Sequence, residues 1–149
     1  EEVQAVLQGS VMLLPSLENG SGPFPAAAAK WAAREPQSPG EHFAAASFYC
    51  AMMTATCLDL IGAEGPVIVE GPFAANVLYL EMLAAACARP VLTGAGSATG
   101  TAIGAAMLSR KKAHAPEPPQ ARDQDQAFRQ MYREYSQLWF SRTAAGARP

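Results

Sequence analysis

The segment from Val67 to Leu108 constrains the fold more than any other part of the chain, because it alternates twice between two kinds of local structure. Pro66-Val67-Ile68-Val69-Glu70 is a short β-branched run that stops at Gly71-Pro72. Ala74 to Ala88 then reads as a helix, with Leu78, Met82 and Ala85 down one face. Pro90-Val91-Leu92-Thr93 is a second strand, Gly94-Ala95-Gly96-Ser97 a tight loop, and Thr99 to Lys111 a helix of small residues. Strands this short and unbroken, separated by helices, predict parallel strands covered on both faces and hence an α/β fold.

The flanking stretches fit one ordinary domain. Val11-Met12-Leu13-Leu14, stopped by Pro15, reads as a strand. Glu18 to Pro23 is dense in turn formers and reads as a loop, and Ala26 to Arg34 as a short helix broken by Glu35-Pro36-Gln37-Ser38-Pro39-Gly40. Glu41 to Ile61 is a long helix, started near Ser38 or Gly40, favoured by Glu41 at its positive end and stopped by Gly62. Phe43, Ala46, Cys50, Met53, Cys57 and Leu60 recur at spacings of three and four along it. The helix is apolar nearly all round, which predicts burial on more than one side. Lys111 to Asp125 is charged and rich in Pro, the mark of an exposed connector. Gln126 to Phe140 is an amphipathic helix with Phe128, Met131, Tyr135, Leu138 and Trp139 as its stripe, and Ala144 to Pro149 a fraying tail.

Composition narrows the function classes. Half of the 149 residues are hydrophobic and 16% are charged, so a sizeable core is available. The net charge of -2 carries no basic excess, which argues against nucleic-acid binding and against attraction to an anionic membrane. No charged start followed by an apolar run marks a signal peptide, and the opening Glu1-Glu2-Val3-Gln4 looks like the middle of something longer. The most apolar stretch, Phe43 to Leu58, is shorter than the roughly 20 residues of a membrane span and reads as a buried helix. Cys50, Cys57 and Cys87 are an odd set without framework spacing, read as buried free thiols of a cytoplasmic protein. Cys50 and Cys57 share a helix face, yet no further Cys or His stands near enough to suggest zinc. His42 and His114 likewise lack metal-ligand spacing, and Asp59 reads as a surface or capping group. Arg122, Arg129, Arg133 and Arg142 interleave with Asp123, Asp125 and Glu134 as a solvated helix face does. No Ser/His/Asp or Cys/His arrangement is visible, so no catalytic residue is assigned within the chain.

The chemistry-bearing candidate is the turn after the first of the two strands. A strand that ends at Gly and opens a helix a few residues later lets a ligand approach the backbone and offers unpaired N–H groups to phosphate. Asn76 adds a polar group at that helix start. In open α/β sheets ligands gather at the carboxyl ends of the strands. The same pattern also describes an ordinary strand-to-helix turn with no ligand.

The run from Val67 to Ala86, then Arg89-Pro90-Val91, then Thr99-Gly100-Thr101-Ala102-Ile103-Gly104-Ala105-Ala106-Met107-Leu108, resembles the FGGY carbohydrate kinases. Leu13-Leu14-Pro15, Gly20-Ser21-Gly22-Pro23-Phe24-Pro25 and the long helix from Glu41 fit the lobe preceding this motif more loosely. The resemblance implies an incomplete ribonuclease-H-like (actin-type) lobe with a short, mostly parallel sheet and flanking helices. It implies that residues 1–112 are part of a C-terminal nucleotide-binding lobe, 113–125 a connector, 126–142 a helix and 143–149 a tail. It implies phosphorylation of a sugar or polyol hydroxyl with ATP and Mg²⁺ in the cytoplasm. The missing N-terminal lobe would supply the catalytic aspartate and most of the sugar site, so this chain alone would be inactive. Gly71 and Pro72 would line the nucleotide, with Ala75 and Asn76 near the adenosine. The resemblance leaves room for a homo-oligomer and gives no role to nucleic acid or membrane.

One departure stands out: the family's turn commonly carries two glycines, and this chain has Glu70-Gly71. A carboxylate there would repel phosphate, which keeps open a non-catalytic actin-like nucleotide-binding module. A third reading takes the Gly94–Gly100 loop as the dinucleotide-binding turn of a Rossmann-type NAD(P) oxidoreductase. Its Gly-x-Gly-x-x-x-Gly spacing misses the fingerprint, and no Tyr-x-x-x-Lys follows.

Overall fold

The structure is a computed structural model, and it describes residues 1–94, 100–108, 120–121 and 126–146. In chain order the elements are α1 (Glu2–Leu7), β1 (Val11–Leu14), β2 (Lys30–Ala33), α2 (Pro39–Leu60), β3 (Val67–Val69), a 3₁₀ turn (Gly71–Ala75), α3 (Val77–Cys87), β4 (Val91–Thr93), α4 (Gly100–Leu108), β5 (Gln120–Ala121) and α5 (Gln126–Gly146). The short helix α1 has no counterpart in the sequence reading.

β3 and β4 pair in parallel, Val67 opposite Val91 and Val69 opposite Thr93. This is the pairing expected of two short strands joined by a helix. β5 adds to β4 in antiparallel fashion, so the sheet order is β3-β4-β5. Its residues Gln120 and Ala121 fall inside the stretch read as an exposed connector, so two residues of that stretch join the sheet. β4's far edge takes this pairing as an outlet for its backbone groups. Most of the connector, the loop from Ala95 to Thr99, and His114 lie outside the described residues.

β1 is buried at all four positions and pairs antiparallel with β2. The helix expected over Ala26 to Arg34 therefore does not form: residues 26–29 are irregular and Lys30–Ala33 is strand. Alanine-rich sequence favours helix locally. A buried β1, however, needs a neighbour for its peptide groups, and the nearest chain supplies one.

α2 begins as the sequence suggests. Ser38 caps it by accepting a hydrogen bond from the Glu41 N–H at 3.1 Å, with Pro39 in the first turn. Gly62 closes it, its N–H donating to the Asp59 carbonyl. The Glu41 carboxylate takes a two-pronged bond from Arg34, Nη2 to Oε1 at 2.5 Å and Nη1 to Oε2 at 2.7 Å, plus the Gln37 N–H at 2.7 Å. The Arg34 bonds foremost, and then the Gln37 amide, hold its pKa down at about 2. The end of β2 is thereby tied to the start of α2.

The buried face of α2 differs from the spacing-based expectation. Ala44, Ala45, Phe48, Ala51, Met52 and Ala55 face inward. Of the row read as the core face, Phe43 and Leu60 are exposed, Cys57 is exposed, and Ala46, Cys50 and Met53 are half-buried. A helix that is apolar all round gives periodicity no basis for choosing a side. Packing chooses it, and the alanines let α1, α3 and β1 approach closely. At 22 residues α2 is also longer than the apolar run in the sequence, and it is long and apolar enough to cross a membrane. Its inner face here carries the domain core.

α5 closes that core and runs to Gly146, past the expected end at Arg142. Tyr132, Tyr135 and Trp139 are buried, while Phe128, placed in the stripe by spacing, is 42% exposed. Phe48 meets the edges of Tyr132 and Tyr135, and the Trp139 indole N–H donates to the Leu13 carbonyl at 2.7 Å. The interleaved charges divide: Arg133 and Glu134 are exposed, while Arg129 and Arg142 are half-buried. Arg122, Asp123 and Asp125 lie outside the described residues. All three cysteines are free, and the expectation of burial fails at Cys57.

Candidate nucleotide-binding turn

β3 delivers the chain to its carboxyl end at Glu70, and the backbone then reverses through Gly71 at φ +73°. This left-handed conformation is one that residues with a Cβ avoid, so glycine is the natural occupant. Pro72, with its fixed φ and missing N–H, opens the 3₁₀ turn that follows. The single helix expected from Ala74 is therefore two elements, and α3 starts only at Val77.

Asn76 makes the break. It is the N-cap of α3 rather than a residue of its first turn, and its Oδ1 accepts from the Tyr79 N–H at 3.1 Å. Its Nδ2 donates to the Ser47 Oγ of α2 at 3.0 Å. Both polar atoms of the amide thus bind protein, and Asn76 positions the turn. Ser47 is buried, so this link crosses from the turn into the core.

Below the turn, Phe73 stands edge-on to Tyr79 with ring centroids 4.8 Å apart. The Tyr79 hydroxyl donates to Thr54 Oγ1 at 3.1 Å, and Thr54 in turn donates to the Cys50 carbonyl at 2.8 Å. Burial, chiefly, raises the Tyr79 pKa, so the hydroxyl stays protonated as a donor. The turn therefore rests on α2 through two separate polar links. Gly71 is half-buried, and Pro72 and Ala75 are exposed, so the backbone face of the turn is accessible.

The second glycine cluster begins beside the first. The Gly94 N–H donates to the Val69 carbonyl at 3.2 Å. A Cβ at Gly94 would meet the Glu70 Cγ at 3.3 Å and Oε1 at 3.4 Å. The second of the two turns that the sequence offered as rivals thus starts, at Gly94, at the same carboxyl edge of the parallel pair as the first, with the Glu70 side chain lying against Gly94. Sequence reasoning missed Gly94 as a member of the Gly71 site. The only available signal was that both glycines follow strands of equal length.

Two other clefts lie away from the turn. One of about 370 Å³ is lined by Glu81, Arg89, Arg129, Tyr132 and Arg133. Another of about 610 Å³ lies between α2, α3 and α5, and includes Asp59, Arg89 and Thr143. Both reach Arg89, which precedes β4 and so marks the opposite edge of the sheet from Gly71. Among the described residues no three His, Cys, Asp or Glu side chains gather as metal ligands.

A parallel pair joined by a helix, with Gly71 and Gly94 following its two strands at one edge, is a nucleotide-site scaffold shared by many proteins. The comparison with known families narrows it. The profile of the carbohydrate kinase FGGY C-terminal domain matches residues 1–118. This chain belongs to the FGGY carbohydrate kinase family. A carbohydrate kinase from Novosphingobium aromaticivorans superposes on it with a TM-score of 0.76 at 29% identity. That match uses 97% of this chain and 30% of the kinase, so the chain spans less than a third of its relative. No curated protein matches. The fold is accordingly an incomplete ribonuclease-H-like (actin-type) lobe, as the sequence resemblance implied, and the dinucleotide-binding reading of Gly94–Gly100 is left without support. α5 lies beyond the stretch the family profile matches, yet it supplies Tyr135 and Trp139 to the same core.

Proposed function

We propose that this FGGY C-terminal domain forms the nucleotide-binding side of the cleft in an ATP-dependent sugar or polyol kinase of the cytoplasm. The observation that carries the proposal is the meeting of Gly94 with Glu70, the residue before Gly71, at the carboxyl edge of β3 and β4. There the accessible backbone of Gly71, Pro72 and Ala75 would take the nucleotide, and Asn76 would act through the position of the turn. The nucleotide supplies the transferable γ-phosphoryl group when bound. Its Mg²⁺ would be held by the phosphates and by groups outside this chain, since no acidic cluster stands among the described residues. The sugar site and the base that deprotonates the acceptor hydroxyl would come from the N-terminal lobe. Because phosphoryl transfer depends on positioning between lobes, the chain alone is expected to bind nucleotide without turning it over.

Thermal-shift titration of the 149-residue chain with Mg-ATP, and with NAD⁺ and NADP⁺, tests this. Stabilisation by ATP and by neither dinucleotide is the expected result. No shift with ATP at millimolar concentration would refute it. Sugar-dependent ATP consumption by the chain alone, in a coupled assay, would refute the need for a second lobe.

The position of Glu70 supports a second reading, a non-catalytic nucleotide-binding module, because its side chain lies against Gly94 where phosphates would approach. Glu70→Gly separates the two. Under the kinase reading ATP affinity changes little. A large gain means the native site is weakened, as the second reading requires.

A further inference from the structure

The last turns of α5 lie against the β1–β2 pair, and Trp139 fixes the register of that contact through its bond to the Leu13 carbonyl. Residues three and four further along a helix share its face. Arg142 and Thr143 are therefore delivered to the carboxyl end of β1, beside Leu14 and Pro15. There they meet Lys30, which opens β2 opposite Leu14. These five residues and the segment 26–28 line a cavity of about 90 Å³. None of the residues lining it is acidic, although the chain as a whole carries a net charge of -2.

The polar groups of this cavity lack the partners their types require. A helical threonine commonly returns its hydroxyl to the carbonyl four residues back, as Thr54 does to Cys50 and Thr56 to Met52 in α2. Thr143 does not. It is 6% exposed, and its Oγ1 is buried without a hydrogen-bond partner among the described residues. A hydroxyl left so is costly. Arg142 is half-buried, and the one hydrogen bond of its guanidinium is a weak one, from Nη1 to the Met12 sulfur at 3.8 Å. Neither Arg142 nor Lys30 pairs with a carboxylate among the described residues. We propose that the cavity binds the tetrahedral oxyanion of phosphate, free or as the end of a phosphate monoester. The guanidinium offers a planar fork of donors, the ammonium a mobile point charge, and Thr143 an O–H aligned by its helix. Three such donor groups suit a dianion with several oxygens better than a flat, singly charged carboxylate. At about 90 Å³ the cavity takes one phosphoryl group and no nucleotide. The negative end of α5, which runs to Gly146, opposes an anion here, but as roughly half an elementary charge it is outweighed by two full ones. No lining residue belongs to β3, β4 or the turns after them, so the site is separate from the nucleotide contact and stands without it.

Inorganic phosphate is titrated against the 149-residue chain by phosphorus NMR and by thermal shift, at constant ionic strength with chloride as the balancing anion. Saturable binding is expected, weaker by about fivefold or more in Lys30→Gln and in Arg142→Gln. Lys30 is exposed, so its variant keeps the test valid if the Arg142 variant fails to fold. Thr143→Val separates a ligand contact from a structural one. Without phosphate it should raise the melting temperature, because it removes a buried hydroxyl that has no partner. In the same variant phosphate should bind more weakly, whereas a threonine that only supports the fold would leave phosphate affinity where it was. Methyl phosphate identifies the source: binding as tight as that of phosphate assigns the site to monoester ends, and binding of phosphate alone assigns it to the free ion. Absence of saturable binding overturns the proposal, as does acetate bound as tightly as phosphate. Phosphate affinity unaltered in Lys30→Gln and Arg142→Gln also overturns it, since the ion would then sit elsewhere, as would displacement of phosphate by Mg-ATP that persists in both variants.

Discussion

Replacing Asn76 by Ala removes two hydrogen bonds at the point where the candidate turn meets α3. The first is the cap from Oδ1 to the Tyr79 N–H, and losing an N-cap of this type costs about 1 kcal/mol. The second is the bond from Nδ2 to Ser47 Oγ, worth about 1 kcal/mol and more if the buried hydroxyl finds no new partner. The sum is about 2 kcal/mol, or ~4–8 °C in melting temperature for a domain of this size. Asn76→Asp separates the contributions. A carboxylate keeps the acceptor for Tyr79, and the Ser47 hydroxyl can rotate to donate to it, so most of the stability should return. Urea unfolding of the chain and both variants, followed by circular dichroism at constant m, measures the differences. A loss below ~0.5 kcal/mol for Asn76→Ala refutes the reasoning. So does an Asp variant as unstable as the Ala variant, because the cap geometry would then not be what holds the turn.

Three further outcomes follow from individual contacts. The Arg34–Glu41 pair depresses the Glu41 pKa from near 4.5 to about 2, so its stabilisation is complete above about 4.5 and is lost as pH falls toward 2; in acid titrations of stability, Glu41→Gln should flatten that part of the curve. Ala88 closes α3 in a left-handed conformation at φ +50°, so Ala88→Gly should stabilise the chain by about 1 kcal/mol in the same urea assay. Trp139→Phe strands the Leu13 carbonyl and leaves a gap against Phe24, and is expected to cost ~2–4 kcal/mol; a loss under 1 kcal/mol would show that α5 is not part of the core.

The legible parts of the fold share one physical property: their signals are local. The strands at Val11–Leu14, Val67–Val69 and Val91–Thr93 were readable from short apolar runs bounded by Gly and Pro, and the start of α2 from Ser38-Pro39 with Glu41. The unreadable parts were decided by packing at a distance. Lys30–Ala33 became strand because β1 needed a neighbour, although its composition suggested helix. Gln120–Ala121 paired because β4 had a free side. α2 turned its alanine face inward, and no periodicity could have said so in a helix apolar on every side. The candidate site was legible to the same degree. Gly71 and Pro72 announce a turn in any reading, whereas the approach of Glu70 to Gly94 depends on the parallel register, which sequence spacing does not specify.

The misassigned face of α2 also bears on how the domain functions. Its row of Phe43, Cys57 and Leu60 has the spacing of a core stripe and yet is exposed here. Exposed apolar rows of that kind are costly in water, and a three-residue edge strand offers little of its own to offset them. The inner face of α2 holds α3 and α1, while its outer row is left uncovered by the described residues. The Gly71 turn is tied to the same helix through Asn76–Ser47 and Tyr79–Thr54. Any shift of α2 would be passed to the turn through those two bonds. Breaking either bond should therefore loosen the turn from α2 without exposing new surface.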